Sequence, residues 1–269
     1  MNEEIMQRVK KHYEYIESLG YEIVYCSAQG SMNYNLYENS KEYHSDVDTK
    51  FIIIPNLDDL IKGTKMVSTK YDFEGEQIDV KDIRVMIDMW KKQNPSYLEI
   101  LFSKYYIINP KYKEYMNKIL KMRNEITSIN TPLLARCISG MSKEKVFALE
   151  HEFPSIIDKI KKYGYDPKQL SSIVRLTHLM ENLFIKGMTF DKAMKYNGDD
   201  IKFMMNLKKG KLSLDEARIM AKEYDRKTRE IKDNIISKYP DKDNFNNITY
   251  NALKELSYEM MKKYIIENI

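Results

Sequence analysis

Two aspartates one residue apart, Asp46 and Asp48, stand at the mouth of the isoleucine run in DVDTKFIII, and a Gly-Ser pair, Gly30-Ser31, precedes them. Side chains on a β-strand alternate faces, so the two carboxylates point the same way, with α-carbons about 6.5–7 Å apart. Like charges this close repel, and a positive charge has to accompany them. Asp79, in QIDVKD, can add a third carboxylate from a neighbouring strand. Three such groups in one place are unfavourable without a divalent cation, and hard oxygen ligands with open positions suit Mg2+. Gly30-Ser31 follows the first strand directly, where glycine lets backbone approach a ligand and the free amides of a helical start face an anion. Phosphates on those amides, with metal between them and the aspartates, are the parts of a phosphoryl- or nucleotidyl-transfer site.

Taken singly, each signal has a plainer explanation. An isolated Asp-x-Asp is more often a solvated strand end, and Gly-Ser an ordinary turn; the order of the three elements gives them weight together. Lys50 shares the face of the aspartates and either neutralises them or contacts phosphate. His44 reads as a solvated loop residue. Arg175 and His178 lie one turn apart on a helix and share a face, so Arg175 either reaches phosphate or makes a structural ion pair. Asp82 competes with Asp79 as third acid, but its place at the opening of a helix fits an N-cap better.

The elements that must position these residues follow from periodicity. Apolar spacing at Ile5, Val9, Tyr13 and Ile16 predicts a first helix over 2–18, ending at Gly20. YEIVYCSA predicts a strand over 21–27, DVDTKFIII a second strand from Asp46 closed by Pro55, and LDDLIKG a short helix. MVSTKYDF and QIDVKD, around Glu74-Gly75-Glu76, form a hairpin whose second arm carries Asp79. From Asp82 onward the period is helical: DIRVMIDMWKKQ, then NPSYLEILFS with proline at its first position, and nothing but helices from about Thr131. The fold class is therefore α+β: a small mixed sheet flanked by helices over 1–120, then an all-helical part over 121–269.

The chain has 269 residues, enough for two domains, with 43% hydrophobic and 31% charged residues, as in an ordered globular protein. A formal charge of +4 permits a polyanionic partner without demanding one. Basic runs such as KIKKYGYDPK and LKKGK alternate with tyrosine, which suits either RNA or a solvated helix face. The amphipathic start has no apolar signal core, and no run approaches a membrane span, so a cytoplasmic location without membrane contact is expected. Cys26 and Cys137 lack the spacing of a zinc site or a disulfide framework.

The order Gly-Ser, loop, Asp-x-Asp, later lone Asp resembles the nucleotidyltransferase superfamily of DNA polymerase β. GSMNYNLYENSKEYHSDVDTKFIIIP with DVKDIRVMIDMWKKQNPSYLEILFS, and the later helical segments, look like bacterial and phage nucleotidyltransferases that include an RNA-repair-associated group; the likeness spans roughly residues 21–230. The resemblance implies two Mg2+ ions (Mn2+ as substitute) on Asp46, Asp48 and Asp79, with Asp79 favouring deprotonation of the nucleophile. It implies a nucleoside triphosphate such as ATP on Gly30 and Ser31, with Lys50 and Arg175 as the further nucleotide-binding candidates read from the residues above, and a helical substrate-binding domain. The implied reaction is transfer of a nucleoside monophosphate to an acceptor hydroxyl, an RNA 3′ end in first place. A protein side chain or small molecule is the alternative acceptor, and a non-catalytic binding or antitoxin-like module the alternative function. ENSKEY makes the segment between Ser31 and Asp46 longer than is usual in the family, an insertion of a kind that loops tolerate.

Overall fold

The computed structural model describes residues 2–63, 67–239 and 246–268. Its element order is α1 (Glu3–Ser18), β1 (Glu22–Ala28), β2 (Thr49–Ile54), α2 (Leu57–Lys62), β3 (Ser68–Phe73), β4 (Glu76–Asp82), α3 (Ile83–Lys91), α4 (Pro95–Leu98), β5 (Tyr106–Ile108), α5 (Lys113–Lys121) and α6 (Arg123–Ile126). Only helices follow among the described residues: α7 (Thr131–Ala148), α8 (Ile157–Tyr163), α9 (Pro167–Phe184), α10 (Phe190–Ala193), α11 (Asp199–Lys208), α12 (Leu214–Lys238) and α13 (Asn247–Asn268). The α+β class read from the sequence is the one observed. None of the described helices is long and apolar enough to cross a membrane.

The five strands form one sheet in the order β3-β4-β2-β1-β5. β2 pairs antiparallel with β1 and parallel with β4, so it is the central strand, and all six of its residues are buried. A strand covered on both faces reads as a continuous apolar run, which is why FIII lacks alternation. β3 alternates exposed and half-buried residues as an edge strand does, and β5, three residues long, closes the other edge. α1 packs on β1 and β5, and α3 on β2 and β4.

Two boundaries differ from the sequence reading. β2 begins at Thr49, so Asp46 and Asp48 precede the strand instead of lying on it. β5 has no counterpart in that reading, because three residues are too few to establish a period. Met66, where the sequence starts the hairpin's first arm, lies outside the described residues.

By packing, the chain divides into two compact units: 2–33, 44–130 and 246–268 in the first, 34–43 and 131–239 in the second. The terminal helix α13 belongs to the sheet unit, where it packs on α3 and α5. The segment 34–43, which contains the ENSKEY insertion, belongs to the helical unit. There Tyr196 N–H donates to Tyr34 O at 3.0 Å, Lys208 Nζ to Leu36 O at 3.2 Å, and Lys209 pairs with Glu38 at 2.9 Å.

The stretch between α3 and β5 carries two side chains used below, Tyr97 and Glu99. Asn94 caps α4 by accepting from Ser96 N–H, with Pro95 at the first position. Fully buried Gln93, at φ 54, donates its side-chain amide to Trp90 O at 2.7 Å and Ile126 O at 2.8 Å, tying the end of α3 to α6. Gln93→Leu keeps the bulk and deletes both side-chain bonds, while Trp90 O keeps the Gln93 N–H at 3.0 Å and Ile126 O the Ile129 N–H at 3.4 Å. A loss of about 1–3 kcal/mol in urea unfolding is expected for two bonds, and a loss below about 0.5 kcal/mol would show that the two bonds do not hold this corner.

Candidate functional site

The site begins where β1 and β2 separate. Ala28 and Thr49 are the last paired residues there, and just beyond them Gln29 N–H donates to Asp48 O at 2.9 Å. That bond joins the Gly-Ser turn to the aspartate segment at one end of the sheet. Gly30 takes φ +81, a left-handed conformation in which a side chain would be strained, and opens a single 3-10 turn over Gly30–Met32. Asn33 closes it, its N–H donating to Gly30 O at 2.9 Å and its side-chain amide to Ala28 O at 3.1 Å. Buried Glu99 accepts the Gly30 N–H at 2.9 Å.

The segment 46–48 is fixed from its other side by β4. Val47 N–H donates to Glu76 Oε1 at 2.5 Å, and Gln77 N–H to Asp48 Oδ1 at 2.9 Å. Glu76 is buried and compensated by Arg8, with His12 Nε2 at 3.2 Å. Burial, reinforced by the Arg8 and Lys11 charges, lowers His12 to about 4, so the ring is neutral near pH 7. A neutral ring satisfies its surroundings with Nε2–H donating to Glu76 and Nδ1 accepting from the Thr49 hydroxyl at 2.9 Å. Asp46 is exposed and has no hydrogen-bond or ion-pair partner among the described residues; Asp48 is half-buried.

Asp79 is occupied differently from the sequence expectation. It pairs in register with Lys50, two residues deeper into the sheet than Asp48. Lys81 Nζ lies 2.6 Å from Asp79 Oδ1 and Lys50 Nζ 3.9 Å from Oδ2, and Tyr97 donates its hydroxyl to Oδ2 at 3.1 Å. Lys50 Nζ also sits 4.7 Å from the centre of the Tyr97 ring and donates to Gln29 Oε1. The cation beside Asp79 is thus an ammonium of the protein itself. Among the described residues no three His, Cys, Asp or Glu side chains are grouped to hold a metal ion. Burial pushes Lys50 down to about 8, against the opposing pull of Asp79 and with help from Lys70 and Lys81; burial and then Asp79 raise the Tyr97 hydroxyl.

Charge compensation separates the acids. Glu76 has Arg8, Asp79 has Lys81 and Lys50, and among the described residues Asp46 and Asp48 have no direct ion pair, Asp48 acting on Lys50 only at longer range. These two offer hard oxygen donors, Asp46 through both carboxylate atoms, and in kind they fit a divalent cation.

The structure brings together Gly30, Ser31, Asp46 and Asp48, with Lys50 beneath them, and ties Asp79 to lysine. Arg175 lies in the helical unit, its guanidinium over the Tyr34 ring at 4.5 Å; His44 is exposed; Asp82 caps α3 by accepting from Arg84 N–H at 2.8 Å. Glu76, Glu99 and Gln29 are the residues that the sequence reading passed over. For Glu99 a signal existed: an acid inside the otherwise apolar LEILF must have a buried partner.

No family model matches the chain, and no curated protein matches it. Among solved structures it is similar to a nucleotidyltransferase-like protein from Exiguobacterium sibiricum 255-15, at 8% identity and a TM-score of 0.30, over 96% of this chain and 80% of that one. A likeness of that size carries no argument about fold or chemistry.

Two measurements probe the site's construction. Glu99→Ala removes the acceptor of a half-buried amide and is expected to cost about 1–2 kcal/mol in urea unfolding, while Glu99→Gln keeps an acceptor oxygen and loses less; equal losses would show that the Gly30 bond is not what Glu99 supplies. Lys50 should titrate near pH 8 in NMR of carbon-labelled lysine, and Asp79→Asn, by deleting the charge that raises it, should move it lower still. The unfolded chain keeps this proton to about 10.5, so between these values it holds the extra proton, and the contribution of Lys50 to stability rises with pH. An upward shift in Asp79→Asn would contradict the pairing.

Proposed function

We propose that the sheet unit binds a nucleoside triphosphate, ATP among them, and transfers its nucleoside monophosphate to an acceptor hydroxyl, releasing pyrophosphate. The observation that carries this reading is the Gln29 N–H to Asp48 O bond, which sets the Gly-Ser turn beside two carboxylates that have no ion pair among the described residues. At a 3-10 start the first amides have no helical acceptor. Glu99 takes that of Gly30, and the amide and hydroxyl of Ser31 are assigned to the phosphates. Lys50, held by Asp79, Gln29 and Tyr97, adds positive potential beneath them while it stays protonated. Asp46 and Asp48 would hold a divalent cation, Mg2+ or Mn2+, which when bound supplies charge neutralisation for the phosphates. In the transfer the acceptor oxygen bonds to the α-phosphorus as the bond to the β-phosphate oxygen breaks. The helical unit, whose surface carries the basic runs, is assigned the acceptor, an RNA 3′ end.

One observation favours a second reading, a module that holds nucleotide without transferring it. The Lys81 ion pair engages the carboxylate that the family resemblance assigns to deprotonating the nucleophile. Incubation with each labelled nucleoside triphosphate, Mg2+ or Mn2+, total RNA and cell protein distinguishes the two. Label in RNA is expected; label in protein moves the acceptor to a side chain; nucleotide binding without pyrophosphate release establishes the module instead. Asp46→Asn plus Asp48→Asn should lower transfer on the order of 10³-fold or more with unchanged urea unfolding, and turnover equal to the wild type would remove the site from this account.

A further inference from the structure

The helical unit carries three aromatic rings on its surface. Phe147, near the end of α7, is 72% exposed, and Phe153, in the loop that follows, is 40% exposed. His151 lies between them, stacked on Phe147 at 5.4 Å between ring centres and tilted against Phe153 at 4.2 Å. Rings in mutual contact restrain one another, so they are presented as a formed cluster. Phe147 and Phe153 line an open groove of about 520 Å3, together with Lys143, Glu144 and Lys145 of α7 and Gln169 of α9.

Next to the groove lies a corner rich in lysine. Asp166 N–H donates to Leu149 O at 2.8 Å, fastening the loop after α7 to the start of α9. Pro167, two residues before Gln169, packs on Gly210, where a Cβ would come within 3.1 Å of the proline and 2.7 Å of the Tyr163 ring. The Tyr165 hydroxyl donates to Leu212 O at 3.2 Å. The basic runs KIKKYGYDPK and LKKGK, remote in sequence, therefore meet in one place. Lys162 Nζ sits 4.8 Å from the centre of the Tyr163 ring, and Lys159 lies one turn earlier on the same face of α8. Lys168 and Lys211 adjoin Pro167 and Gly210 in the chain, and both are exposed. Lys209 is spent on Glu38 and Glu42, at 2.9 and 3.5 Å. The other four have no ion pair among the described residues, and neither have Lys143 and Lys145 at the groove. Of the acids nearby, Glu150 is taken by Arg218 at 2.6 Å; Glu144, Glu152 and Asp158 remain, and the lysines outnumber them.

We propose that this surface binds single-stranded RNA, with unpaired bases in the groove against Phe147 and Phe153 and backbone phosphates on Lys162, Lys168 and Lys211. Exposed rings stack on bases of any sequence, and uncompensated ammonium groups answer phosphate. An apolar segment of a protein partner would cover the rings and leave the lysines unanswered. A duplex would meet the lysines and leave the rings bare, because its bases already stack within it. The role of the surface rests on the assignment of the RNA acceptor to the helical unit; its binding requires neither nucleoside triphosphate nor the aspartates of the sheet unit.

The test uses the full chain without triphosphate or metal, and a fluorescent oligouridylate of roughly 12 nucleotides, a length such surfaces span. Anisotropy over a range of salt should give a log affinity that falls linearly with log salt, by about 0.7 per phosphate contact. Lys162→Gln plus Lys211→Gln, at two exposed positions, should lessen that slope by about 1.4. Phe147→Ala should weaken binding about tenfold at unchanged slope, because a ring releases no counterion, and should leave binding of the same strand in a duplex unaltered. No binding at low salt overturns the proposal, as does an unchanged slope in the lysine variant, or a Phe147→Ala effect that is absent or equal for single strand and duplex. A dimer that Phe147→Ala dissolves would assign the rings to a second copy of the chain and overturn it as well. Asp46→Asn plus Asp48→Asn should bind the strand as the wild type does. Absence of transfer with that binding intact supports the surface and tells against the sheet-unit reading alone; binding lost in this variant overturns the surface.

Discussion

Negative charge at the open end of a buried sheet is the constraint that organises this protein. Asp46, Asp48, Glu76 and Asp79 all approach the line where β2 meets its neighbours, in surroundings where an unanswered charge is expensive. The fold resolves most of it internally. Arg8 comes from α1 to Glu76, and Asp79 is closed on by Lys50 from the neighbouring β2 and by Lys81 from its own strand β4. Compensated acids then become structural tools. Glu76 holds the Val47 amide and Asp79 holds two lysines and a tyrosine, whereas the two acids without a direct ion pair among the described residues are the ones nearest solvent. Buried ion pairs of this kind give little net stability, and removing one partner is costly. Their use here is positional: they set the backbone from which Asp46 and Asp48 project.

Some of this was legible in the sequence because it is local. Gly30 with its positive φ, the return from β1 to the isoleucine run, the Asp82 cap and the Asn94-Pro95 helix start depend on neighbours a few residues away, and spacing reveals them. The role of Asp79 was not legible, because it depends on register between strands far apart in sequence. A parallel pair that sets Thr49 against Ile78 puts Gln77, not Asp79, beside Asp48, and a two-residue change of register would have placed the acids together on the same face. Lys81 likewise reads as an ordinary charged strand residue until its partner is seen. Glu99 shows the intermediate case, in which burial of an acid can be inferred from its apolar neighbours but its partner, the Gly30 amide, cannot.

The insertion between Ser31 and Asp46 changes meaning once it is placed. As sequence, ENSKEY looks like slack in a surface loop, where added length costs little entropy. In the structure the chain leaves the sheet unit after Asn33, packs residues 34–43 among the helices through Tyr34, Leu36 and Glu38, and returns at His44. Its two ends are then closed at the sheet by the Gln29 and Asp48 bond. A segment bonded in its middle within the helical unit and at its base within the sheet unit has few conformations left to lose. Extra length in this position is therefore bonded structure and not slack, and the bonds that hold it, rather than its residue count, set its entropic cost.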